Sequence, residues 1–173
     1  MKPAISAVLI STLIALPGFA GENDEKQCPL HEQHRKQSGA KSGEDLVQRG
    51  DRVMGFAEAR TTHHFVIRKN GGAIEVTADD PEDAESVASI RTHLQDIARQ
   101  FRSGNFELPR EIHGQPPAGA ATMSRLASKI TYRFSEIDGG GRLTIQTRSA
   151  EALSAIHAFL RFQIDDHQTG DPH

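Results

Sequence analysis

The stretch Thr61-Thr62-His63-His64-Phe65-Val66-Ile67-Arg68 decides how the rest of the chain is read. Its β-branched and aromatic content predicts a strand. Successive strand side chains point to opposite faces, so His63 shares a face with Phe65 and Ile67, and His64 shares the other with Val66 and Arg68. One imidazole therefore points toward the core and its neighbour points away from it.

Working outward, Lys69-Asn70-Gly71-Gly72 supplies the positive-φ residues of a hairpin turn, and Ala73-Ile74-Glu75-Val76-Thr77 returns as a second strand. Asp79-Asp80-Pro81-Glu82-Asp83 reads as a helix start, with an Asp cap and Pro in the first turn. Val87, Ile90, Leu94, Ile97 and Phe101 then form one helical stripe, which Ser103-Gly104-Asn105 ends. The order repeats later in the chain. Ile130 to Phe134 alternates as a strand, Asp138-Gly139-Gly140-Gly141 turns, and Leu143 to Thr147 returns. Ser149 caps a second helix whose stripe is Ile156, Phe159, Leu160 and Ile164, with Leu153 beside it. The expected fold class is α+β, in which two ββα units form a four-stranded antiparallel sheet with two helices packed on one face. Phe106 to Pro117 reads as an irregular crossing segment, and Ala118 to Ser128 as a short helix carrying Met123 and Leu126.

Upstream, the chain opens Met1-Lys2-Pro3 and runs through an apolar stretch, Ala4 to Leu16, to Pro17-Gly18-Phe19-Ala20. A positive start, a short apolar centre and a small exit residue are the marks of a secretory signal peptide, here residues 1–20. The run is short for a membrane span of about 20 apolar residues. The expected destination is the periplasm, with no membrane attachment after cleavage. Residues 21–48 are polar and read as a flexible arm, and residues 49–173 as a single domain. The net charge of −3 offers nothing to nucleic acid or to an anionic membrane, which select basic chains. A single cysteine, Cys28, excludes an internal disulfide.

The chain resembles a group of small exported bacterial proteins. The resemblance rests on Met54-Gly55-Phe56, Thr61-Thr62-His63-His64-Phe65, Gly71-Gly72-Ala73-Ile74-Glu75-Val76, Ile112-His113 and the run from Ile156-His157-Ala158-Phe159-Leu160-Arg161-Phe162-Gln163-Ile164 through Asp165-Asp166-His167. It covers roughly Arg49 to Asp171 and implies export and a single domain. It carries over no catalytic residue.

Nine histidines are the compositional feature most in need of a reason. Imidazole is the common ligand for borderline metals near neutral pH. His93 and His157 sit at the margins of the two helical stripes, His63 points into the layer between helices and sheet, and His113 arrives from the crossing segment beside Met123. Together these residues suit copper or zinc. Cys28, His31 and His34 have spacing for a second site on the arm, where a thiolate with imidazoles favours copper(I) or zinc. The blander reading makes His63 and His157 hydrogen-bonded interior residues and His93 a surface one.

Catalytic signatures are lacking. No Gly-x-Ser-x-Gly elbow and no Cys-x-x-Cys-His exist, and Gly139-Gly140-Gly141 lacks the Lys-Ser/Thr of a phosphate loop. Asp79/Asp80 read as helix capping, and Asp165/Asp166 as a solvated terminus. No residue is assigned a catalytic role. The expectation is an exported metal-binding protein. The competing one is a non-metal structural or partner-binding domain, whose sheet edges would allow a homodimer.

Overall fold

The computed structural model describes residues 50–173. The expected signal peptide and arm, with the candidate ligands Cys28, His31 and His34, lie outside them.

Four strands, β1 (Thr61–Arg68), β2 (Gly71–Ala78), β3 (Ile130–Ile137) and β4 (Gly140–Thr147), form an antiparallel sheet of order β1-β2-β4-β3. Each hairpin turns through two residues, Lys69-Asn70 and Asp138-Gly139. Gly71 at φ 146° and Gly139 at φ 66° take the backbone conformations that a side chain would resist. The two hairpins join through β2 and β4, where Ile74 faces Leu143. Alternation puts Phe65, Ile74, Val76, Leu143 and Ile145 on one buried face. The other face exposes His64, Arg68, Thr131, Arg133 and Gln146.

Two long helices, α1 (Ala84–Arg102) and α4 (Ala150–His167), cover the buried face, with α2 (Glu107–His113) and α3 (Ala120–Arg125) between them in sequence. The apolar stripes are buried as their spacing requires, with Ile90, Leu94 and Phe101 on α1 and Ile156, Phe159 and Leu160 on α4 essentially sealed from solvent. The expected fold class therefore holds. The packing adds something the repeat does not contain. α1 follows the first hairpin but lies chiefly on β3 and β4, while α4 follows the second and lies chiefly on β1 and β2. Each helix covers the other unit's hairpin, so neither half can bury its own apolar face alone.

Two local readings need correction. The α1 cap is Asp83, not Asp79 or Asp80: its carboxylate accepts from the Ser86 N–H and the Ser86 hydroxyl. Pro81 therefore belongs to the preceding turn. The crossing segment is not irregular throughout, because Glu107–His113 is the helix α2. Pro109 sits in its first turn, where a missing N–H costs no intrahelical bond, and Gly114 at φ 66° ends it.

Candidate functional site

Four imidazoles from four different elements meet at the end of the helix–sheet layer. His63 comes from the core face of β1, His93 from α1, and His113 and His167 are the last residues of α2 and α4. All four line one pocket of about 50 Å³ together with Gln163 and apolar side chains that include Met54, Phe65, Leu94 and Phe101. That volume is room for a few water molecules or a small ion with its ligands.

The rings of His63, His113 and His167 are in contact. His63 and His167 stack at 5.5 Å between centroids and 10° between planes. His113 meets His167 edge-on at 5.1 Å and 86°. Phe56 reaches both His63, at 6.3 Å, and His93, at 5.6 Å, and so bridges the two sides of the pocket. Phe65 lies 5.4 Å from His167.

Two of the imidazoles are backed by carboxylates. His167 Nδ1 lies 2.8 Å from Glu58 Oε1, and His113 Nδ1 lies 2.5 Å from Asp166 Oδ2. Glu58 belongs to a short 3-10 turn, Glu58–Arg60, whose first N–H donates to Asp51 Oδ1. The hydrogen bond from His167 holds the Glu58 carboxyl below its usual range, against the opposing effect of burial. Its second oxygen, Oε2, is buried without a partner.

Burial pushes His63 and His93 down from 6.5 to about 4, so both are neutral at pH 7. The neighbouring His167 adds to the effect on His63, and Glu58 opposes it. Among the described residues, neither ring has a hydrogen-bond partner. Desolvation also lowers His113, although its bond to Asp166 works the other way. A neutral His113 that gives its Nδ1 proton to Asp166 has only a lone pair at Nε2, which calls for a donor. Gln163 presents Oε1 to it at 2.9 Å while its own Nε2 is buried and unpartnered. Exchanging the oxygen and nitrogen of that amide lets its N–H donate to the His113 lone pair and so gives the orphaned donor a partner.

The remaining expected ligands fall elsewhere. His157 Nε2 bonds the Arg68 carbonyl at 3.0 Å, at the other end of β1 from His63, so it does not join the pocket. Met123 is fully buried in the core and does not line the pocket. His93 is buried, not a surface residue. Asp166 is a partner of His113, not part of a solvated terminus, whereas Asp165 is exposed. His167 is the member missing from the expected set, and one signal could have found it. Continuing the α4 stripe from Ile156, Leu160 and Ile164 by one turn reaches it. Glu58 gave no signal of its own, because it meets His167 across 109 positions of sequence.

Chemically, the pocket offers imidazole nitrogens in a largely apolar wall, neutral at His63 and His93, with carboxylates behind two of the rings. A carboxylate behind an imidazole orients metal-ligating histidines and also the base of a nucleophilic dyad. Among the described residues, no serine, threonine or cysteine lines this pocket to serve as the nucleophile. Among the described residues, no group of three or more His, Cys, Asp or Glu side chains is already arranged around an ion position. No helix there is long and apolar enough to cross a membrane. No known protein family, curated protein or solved structure matches the chain.

Proposed function

We propose that this chain is an exported metal-binding protein that takes up copper or zinc through the imidazoles of His63, His93 and His167, with His113 behind them. The observation that carries this reading is the convergence of four imidazoles from four elements on one pocket, two of them backed by Glu58 and Asp166. The stretches on which the bacterial resemblance rests meet here too: Met54 and Phe56, His63 and Phe65, Ile112 and His113, Gln163 and His167. With His63 and His93 neutral at pH 7, no proton need be displaced from their free nitrogens before a metal binds. Because the rings do not yet surround an ion position, capture requires them to turn. Among the described residues, nothing hydrogen-bonded to His63 or His93 resists that turn. Imidazole nitrogens without a thiolate suit zinc or copper(II).

A second reading has an observation of its own. His113 has both ring nitrogens occupied, as expected of an imidazole that fastens α2 to α4 in a purely structural or partner-binding domain. Titration of the purified protein with zinc and copper(II), read by calorimetry and elemental analysis, separates the two. About one tightly held equivalent that disappears in the His63→Ala/His167→Ala variant supports the metal site. Full retention in that variant, or no uptake by the parent, leaves the structural reading. If the double variant fails to fold, His93→Gln gives the same decision. Deleting residues 21–48 tests the Cys28, His31 and His34 arm separately.

A further inference from the structure

The opposite end of the molecule holds a cluster of cations that nothing described so far uses. Thr147 gives its hydroxyl to the Lys129 carbonyl at 2.7 Å, and its N–H to the Asn70 carbonyl at 3.0 Å. The first bond pins the start of β3 against the end of β4, where Ile130 faces Thr147, and the second ties that end to the β1–β2 turn. Lys129 and Arg148 flank that last pair. They line one depression with Arg133, which faces Thr144 across the strands. Like charges gathered this closely repel one another. Yet among the described residues none of Lys129, Arg133 and Arg148 forms an ion pair, although most of the other arginines do. The carboxylate of Glu151 feels Lys129 but is bonded by Arg125 at 2.5 Å. The three cations line a depression of about 760 Å³, otherwise walled by polar side chains such as Thr131 and Gln146. In a chain whose net charge is −3, an uncompensated cluster of this kind is a local inversion of sign.

We propose that this depression is a binding site for a phosphate-bearing ligand, whose charge is taken by Lys129, Arg133 and Arg148. Guanidinium forks match the oxygens of a phosphate in paired, charge-assisted bonds, and a lysine adds a point charge beside them. The depression is far larger than a bare oxyanion. Its polar wall suits a hydroxylated body attached to the phosphate, either a soluble phosphate ester or a phospholipid headgroup. This site is independent of the histidine pocket, and neither proposal depends on the other.

The test is calorimetric titration of the purified protein with pyrophosphate. Sedimentation with mixed phosphatidylglycerol–phosphatidylcholine vesicles runs alongside it, with pure phosphatidylcholine vesicles as reference. Saturable pyrophosphate binding is expected, weakening as salt rises. The Lys129→Gln/Arg133→Gln/Arg148→Gln variant should lose about tenfold or more in affinity, and Arg161→Gln, an exposed cation elsewhere, should lose none. Vesicle binding that the triple variant also loses assigns the phosphate to a headgroup. Pyrophosphate binding without vesicle binding assigns it to a soluble ester. Equal binding by parent and triple variant, or binding of neither probe by the parent, overturns the proposal. All three side chains are exposed, so the variant should fold. Should it not, Arg133→Gln alone must still weaken binding.

Discussion

Single side chains set how this protein responds to acid. His63 and His93 titrate near 4 when folded and near 6.5 when unfolded, so the unfolded chain binds more protons between those values. Stability is full above about pH 6.5, falls as the pH drops through that window, and stops falling on this account near pH 4. The loss should amount to about 3 kcal/mol for each ring in the metal-free protein. Denaturant unfolding across the window should show the slope, and His63→Gln/His93→Gln should flatten it. A double variant as pH-sensitive as its parent would mean that other groups carry the effect. At this scale the sequence was informative by pattern and silent on pairing. Strand alternation placed His63 inward and His64 outward. Helical spacing placed His93 and, with one more turn, would have placed His167. The same spacing put His157 at the margin of a stripe, but the backbone of β1 was there to bind it, and no pattern within α4 could disclose that. Glu58 and Asp166 become partners of histidines only because distant segments meet.

At the scale of elements, the order strand–turn–strand–helix was legible twice, because hairpin glycines and apolar stripes are local signals. What the chain does with two such units was not, since packing partners are chosen by shape across the whole layer. α1 and α4 each settle on the other unit's hairpin, and the approach is close. Gly72 shows how close: a Cβ there would stand 2.2 Å from Leu160 Cδ1 and 2.4 Å from the Val66 carbonyl oxygen. Gly72→Ala should therefore destabilise the protein by about 3 kcal/mol, through displacement of α4 from β1 and β2. Chemical denaturation checks the size of the loss. A value near zero would show that the helix moves away freely. The misread start of α1 has a simpler cause. Several acids lie within five positions, and only the one whose carboxylate reaches the Ser86 N–H can act as the cap.

Across the whole molecule, the ends of the described chain are fastened to each other. After α4, Gln168 turns the backbone at φ 53° and the last residues run back along β1. There Asp171 accepts from the Phe65 N–H at 2.8 Å and from the Thr169 hydroxyl at 2.8 Å, and meets His64 Nδ1 at 2.9 Å. A carboxylate thus occupies a backbone donor on an edge strand that would otherwise be open to pairing with another chain. Asp171→Ala should cost about 1–2 kcal/mol and speed exchange of the Phe65 amide, which hydrogen–deuterium exchange can follow. Unchanged protection of that amide would show that the tail does not hold the edge. The same tether orders events in time. Glu58 and His167 stand 109 positions apart, and Asp171 and Phe65 stand 106 apart. A ribosome must therefore have released the chain as far as His167 before the pocket can close, and whatever the pocket holds is acquired only after that point.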